Sequence, residues 1–106
     1  AASKWAVIGI TKSLSVELGA HKIRVNAVLP GVIEGERHDR LYRAKAERLG
    51  ISFEEAEERF FDQTALRCNI PPRDIAAAIV YFCSPAAQHV SGQSLGVCGD
   101  IQYMRQ

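Results

Sequence analysis

The spacing of apolar positions changes repeatedly along the chain, and each change marks an element. Over residues 1–19, Val7, Ile10, Leu14 and Leu18 recur every three or four positions, which predicts a helix with these side chains on one face. Trp5, Ala6 and Ile8 carry apolar character around the other side, so the helix is expected to be buried on more than one flank. Gly19 has the C-cap chemistry that ends such a helix, and His21 and Lys22 follow in a tight turn. The run from Ile23 to Leu29 then predicts a short strand, stopped by Pro30-Gly31.

Residues 34–63 are charged and amphipathic, and two helical stripes stand out. Tyr42, Ala46 and Leu49 form one; Phe53, Ala56, Phe60 and Phe61 form the other, with Gly50 between them. Pro71-Pro72 opens a further helix from Arg73 to Ser84, since proline suits the first helical position and Asp74 is favourable in the first turn. Its apolar residues, among them Ile75, Ile79, Val80 and Phe82, suit packing against a sheet. Ser94 to Cys98 predicts a last strand. Strand, helices, strand is a βαβ pattern, which implies parallel pairing with a right-handed crossover and an α/β fold. Parallel sheets are covered on both faces and need neighbouring strands, so these two strands belong to a larger sheet.

Composition narrows the function classes. With 106 residues, 47% of them apolar, the chain forms one domain at most. A formal net charge of +1 and interleaved Glu residues argue against a nucleic-acid face, and no apolar stretch is long enough for a membrane span. Cys68, Cys83 and Cys98 are widely spaced, without a Cys-x-x-Cys or a nearby His pair. They are expected to be reduced thiols of a cytoplasmic protein, with no metal site. Asn26, polar within an apolar strand, is expected to hydrogen-bond rather than react.

Several segments, in order and at consistent spacing, resemble the C-terminal portion of the short-chain dehydrogenase/reductase family. Ala1-Ala2-Ser3-Lys4 with Thr11-Lys12-Ser13-Leu14 is similar to the active-site helix that follows the catalytic Tyr of Tyr-x-x-x-Lys. Ile23 to Val28 with Pro30-Gly31 resembles the sixth strand and its cofactor-contacting turn. Asp74-Ile75-Ala76, Ser84-Pro85 and Ser91-Gly92-Gln93 resemble the last helix and the approach to the seventh strand.

The resemblance implies the C-terminal part of a doubly wound Rossmann-type parallel sheet over residues 1–106, in which 34–70 form a helical substrate-binding lid. It implies an NAD- or NADP-dependent oxidoreductase that moves hydride between nicotinamide and a small-molecule alcohol or ketone. Lys4 is the expected catalytic lysine, and the Tyr is expected just before Ala1. The charge of Lys4 would favour the Tyr phenolate, and an i, i+4 spacing would put both side chains on one helical face. Cofactor contacts fall on Lys4, through the nicotinamide ribose, and on Pro30, Gly31, Val32 and Ile33, whose main chain would meet the carboxamide. Two positions depart from the family: Gly35 stands where Thr often bonds the carboxamide, and Cys98-Gly99-Asp100 replaces Asp-Gly-Gly.

The Gly-x-Gly-x-x-Gly turn that cradles a pyrophosphate does not occur in these residues. The chain alone is therefore expected to be inactive, with the missing N-terminal part of the fold as its partner. The alternative is an association module: the family forms homodimers and homotetramers, and Trp5, Ile8 and Phe82 would serve such contacts. The basic residues between Arg37 and Arg48 are expected to form a solvated face with i, i+4 pairs to Glu36, Asp39 and Glu47. Tyr42, Phe53 and Phe60 are expected to pack, and His38 is not expected to act as a base.

Overall fold

The computed structural model describes residues 2–101. The first helix, α1, spans Ala2–Gly19. It is followed by β1 (Ala27–Pro30), α2 (Glu36–Leu49), α3 (Phe53–Phe61), α4 (Pro72–Cys83), a 3-10 turn at Pro85–Ala87 and β2 (Ser94–Val97). The strands pair in parallel, Ala27 opposite Ser94 through Pro30 opposite Val97, so everything between them is one crossover.

The ladder starts later than the apolar run from Ile23 predicts. Residues 24–26 are committed to the loop before β2 instead. The Arg24 guanidinium donates from Nη1 to the carbonyls of Phe82 (2.5 Å) and Ala87 (2.9 Å). Val25 N–H donates to Ser91 Oγ, and Gly92 N–H donates to the Val25 carbonyl. Asn26 spans the same loop, donating to the Val90 carbonyl and accepting from Gln93 N–H, which is the hydrogen-bonding role expected of it. Arg24 thus caps the carboxyl end of α4, where partial negative charge collects. Replacing it with Met should lower the unfolding free energy by about 1–3 kcal/mol, because two carbonyls lose a charged donor. Urea denaturation of the full-length protein checks this; an unchanged midpoint would mean the contacts contribute nothing.

The face of α1 that packs inward differs from the predicted stripe. Thr11 is buried and Lys4, Ile8, Ser15 and Leu18 are half-buried, whereas Val7, Ile10 and Leu14 lie exposed. Thr11 returns its hydroxyl to the Val7 carbonyl, and Ser15 Oγ meets Ser91 Oγ at 2.7 Å. A helix with apolar residues around most of its circumference carries no single preferred face, so periodicity alone could not choose. The left-handed residue after this helix is Lys22 (φ 62°) rather than Gly19. In α4 likewise Ala78 is buried and Ile75 and Phe82 half-buried, while Ile79 and Val80 are exposed.

The buried centre lies in the helical segment. Tyr42 and Ala46 of α2 pack on Ala56 of α3, with Val32, Ile51, Phe53 and Phe60 around them. Gly50 ends α2 in a left-handed C-cap, and Ser52 caps α3 by accepting from Glu55 N–H. Leu49, expected in the α2 stripe, is exposed. None of the expected i, i+4 pairs forms on α2. Asp39 faces its neighbour His38, and Arg37, Arg40, Arg43 and Arg48 make no ion pair among the described residues. Exposed pairs of long side chains yield too little energy to hold a geometry. Cys68, Cys83 and Cys98 are free thiols, and no helix among the described residues is long and apolar enough to cross a membrane.

Candidate functional site

The site forms where β1 ends. In doubly wound sheets, ligands meet the carboxyl ends of the strands. Past Pro30 the chain is held down by Gly31, whose N–H donates to the Val97 carbonyl. A Cβ on Gly31 would lie 2.7 Å from Cys98 Cα, so only glycine lets the turn approach β2 this closely.

The next three residues run extended beside Ile70. Ile70 N–H donates to the Val32 carbonyl, and Glu34 N–H donates to the Ile70 carbonyl. In this parallel bridge the N–H and C=O of Ile33 point away from Ile70, and neither has a hydrogen-bond partner among the described residues. One residue therefore presents a donor and an acceptor side by side. A primary carboxamide offers the complementary pair.

Gly35 then turns the chain into α2 with φ +146° and ψ −172°, a conformation that glycine adopts readily and side-chain-bearing residues avoid. This accounts for glycine at a position where the resemblance leads one to expect Thr.

Lys4, on the first turns of α1, lines the same cleft of about 510 Å³ as Pro30, Gly31, Val32 and Ile33. All the site residues read from the sequence are thus brought together. Lys4 is half-buried and makes no ion pair or hydrogen bond among the described residues, although Glu34 and Glu36 line the same cleft.

The far wall comes from the turn into α2 and from α2 itself: Glu34, Arg37, His38, Leu41 and Tyr42. From the sequence, Arg37 and His38 are expected on a solvated face and Tyr42 in packing; His38 is instead buried, and all three line the cleft. The signal available was the i, i+4 spacing of Arg37 and Leu41 and of His38 and Tyr42, which sets two adjacent rows along one side of the helix.

His38 is buried between α2 and α3. Its Nδ1 lies 3.2 Å from Asp39 Oδ1 and its Nε2 lies 3.4 Å from Glu57 Oε2, the second without hydrogen-bond alignment. Its ring packs on Tyr42 (centroids 4.7 Å apart) and on Phe53 (6.2 Å). Tyr42 is the one tyrosine among the described residues that lines the cleft. Burial, and then the carboxylate of Glu57, push its phenol above the ordinary tyrosine value. That direction is wrong for a general base at neutral pH, so Tyr42 stays protonated and packs.

Among the described residues no cluster of His, Cys, Asp and Glu is arranged to hold a metal ion. The site's resources are a free ammonium, a free main-chain donor–acceptor pair and a glycine-tight turn.

The sequence matches the enoyl-(acyl carrier protein) reductase family over residues 1–99. It is 35% identical to the 3-oxoacyl-[acyl-carrier-protein] reductase of Rickettsia felis over 100 residues, 94% of this chain and 37% of that protein. Among solved structures, a short chain dehydrogenase family protein from Francisella tularensis superposes with a TM-score of 0.84 at 31% identity, covering 98% of this chain and 42% of that one. An actinorhodin polyketide ketoreductase variant bound to NADPH gives 0.81 at 33% identity, over 96% and 39%. The chain therefore spans well under half the length of the proteins it matches.

Proposed function

The chain belongs to the short-chain dehydrogenase/reductase family, and on that premise we propose that it carries the lysine, the nicotinamide-facing turn and the substrate lid of an NAD- or NADP-dependent oxidoreductase acting on an alcohol or ketone. The observation that carries this reading is the convergence on one cleft of Lys4 and of the Ile33 main chain, which has no hydrogen-bond partner among the described residues. A nicotinamide held here would supply the hydride chemistry at the substrate carbon. Ile33 would hold its carboxamide, with the N–H as donor to the carboxamide oxygen and the C=O as acceptor from its NH₂. Gly31 and Pro30 keep that main chain fixed against β2, and Val32 packs the turn onto the core of the lid.

Lys4 does two things. Its ammonium donates to the ribose hydroxyls, and its charge lowers the cost of ionising the Tyr of the family motif. That Tyr takes or gives the proton at the substrate oxygen. The segment 34–70 closes over the cleft from the α2 side and excludes water from it. The pyrophosphate-binding turn, the Ser that polarises the carbonyl and the Tyr come from the remainder of the family fold, and these residues alone are inactive. The three free thiols fit a reducing cytoplasm.

A ketone panel, including a 3-oxoacyl thioester, tests the proposal in the full-length protein with NADH and NADPH in parallel. Ketone-dependent oxidation of at least one dinucleotide is expected. Absence of oxidation with either dinucleotide across the panel, in protein that is folded by circular dichroism, contradicts it.

Of the residues expected to serve subunit contacts, Trp5 is 55% exposed whereas Ile8 and Phe82 are half-buried; the exposure of Trp5 together with Ile10, Val16 and Val80 favours a second reading, in which this portion associates with other subunits as a homodimer or homotetramer. Sedimentation of the 106-residue chain tests this association: a stable homodimer or homotetramer supports it, and a monomer at all concentrations contradicts it.

A further inference from the structure

His38 is the one buried histidine among the described residues, and each of its ring nitrogens faces a carboxylate. Nδ1 lies 3.2 Å from Asp39 Oδ1 on α2, and Nε2 lies 3.4 Å from Glu57 Oε2 on α3. A carboxylate only accepts hydrogen bonds, and a neutral imidazole has one proton for its two nitrogens. The neutral ring therefore serves one carboxylate and turns a lone pair toward the other. The contacts show this mismatch: Nδ1 is bonded to Asp39, while Nε2 is buried with no hydrogen-bond partner among the described residues. The Glu57 side chain is 24% exposed against 55% for Asp39, so the unmet contact is the less hydrated one. Imidazolium, with a proton on each nitrogen, donates to both.

The same oxygen of Glu57 also accepts from Asn69 Nδ2 at 3.3 Å. Asn69 precedes Ile70, whose N–H and C=O bond Val32 and Glu34 on either side of Ile33. His38, Glu57 and Asn69 thus form a line from α2 through α3 to the segment that fixes the Ile33 main chain. Around the ring, α2 supplies Asp39 and Tyr42, and α3 supplies Glu57 and Phe53. Lys4, Glu34, Glu36 and Arg37 line the bordering cleft, and none of them pairs with the ring.

We infer that His38 is a proton-operated latch of the lid. Binding one proton converts a mismatched contact into two charge-assisted hydrogen bonds that clasp α2 to α3. The latched lid binds one proton more than the released lid. The latch therefore tightens as pH falls and loosens as pH rises through the histidine range, between pH 5 and 8. One consequence rests on the function proposed above: a latched lid holds Ile70 against the turn and so holds the nicotinamide more firmly.

Hydrogen exchange of the full-length protein, read by mass spectrometry and corrected for the intrinsic pH dependence of exchange, tests the latch without turnover. Peptides within 36–61 should be about tenfold better protected at pH 5.5 than at pH 8. Peptides around the exposed His21 and His89 should not follow. E57Q and D39N each place an amide beside the ring, which both donates and accepts and so satisfies a neutral imidazole. Both variants should keep α2 and α3 protected at either pH. E58Q removes an equal charge at an exposed position of α3 and should retain the wild-type response. Equal wild-type protection at the two pH values, or a response that survives in E57Q and D39N, overturns the latch. Dinucleotide affinity reads the consequence separately: NAD⁺ or NADP⁺ binding, taken as wild type relative to E57Q, should be stronger at pH 5.5 than at pH 8. Protection that follows pH while this ratio stays constant would support the latch and count against the proposed nicotinamide-facing turn.

Discussion

Replacing Lys4 by alanine in the full-length protein is expected to lower kcat/KM by roughly 10²–10⁴-fold and to weaken dinucleotide binding. Both losses would come from one side chain, because in the proposed function the same ammonium supports the proton-transferring Tyr and the ribose. Lys4 is half-buried, faces the cleft and has no competing partner among the described residues, so nothing else in these elements replaces its charge. The pH profile separates this role from a structural one. Without the cation beside it, the Tyr should ionise closer to its ordinary value near 10, and the alkaline-going limb of kcat/KM should move upward. Lys4→Met, which keeps the methylene packing, should behave like the alanine variant. Lys4→Arg should restore the position of the limb more than the rate, since it keeps the charge but not the compact geometry. Near-normal kinetics in Lys4→Met would remove the lysine from the mechanism.

Gly31→Ala carries the second large effect. The added Cβ would stand 2.7 Å from Cys98 Cα, 2.9 Å from Cys98 Cβ and 3.2 Å from the Cys98 carbonyl oxygen. Backbone, not a flexible side-chain end, is the obstacle, so the turn has to move. Overpacking of this kind costs about 1–3 kcal/mol in stability. The functional loss should be greater than the stability loss alone explains, because the displaced segment includes Ile33. A shift of about 1 Å at a positioning element costs on the order of 10²-fold in rate. The companion variant Cys98→Gly removes only the 2.9 Å contact and leaves the one with Cα. G31A/C98G should therefore recover little. Full recovery in the double variant would place the clash on the thiol side chain and leave the backbone contact without consequence. Melting temperature and kcat/KM, measured together, make the comparison.

Much of the element order was legible from residues alone. Gly50, Pro72 and the Pro30-Gly31 stop mark boundaries because each has a backbone preference that no neighbour overrides. Helix faces were less legible. In α1 apolar residues surround the axis, so the inward row of Lys4, Ile8, Thr11, Ser15 and Leu18 is set by what the helix meets, namely Ser91 and the β1 region. The strand run from Ile23 looked uniform, yet only Ala27–Pro30 pairs, because Arg24 and Asn26 use their side chains to hold the 85–93 segment. Of the site, Lys4 was identifiable through a family resemblance, since a lone helical lysine carries no distinguishing local pattern. The donor and acceptor on Ile33 were legible only as a position. Which main-chain groups are free depends on Ile70 lying opposite, a contact across 37 residues of sequence.

The most direct test is a crystal structure of the full-length protein with a bound nicotinamide dinucleotide. The carboxamide should accept from Ile33 N–H and donate to its C=O, with Lys4 Nζ on the ribose hydroxyls. A dinucleotide whose nicotinamide lies away from the Pro30–Ile33 turn, or a Lys4 that points out of the cleft in that complex, would contradict the account.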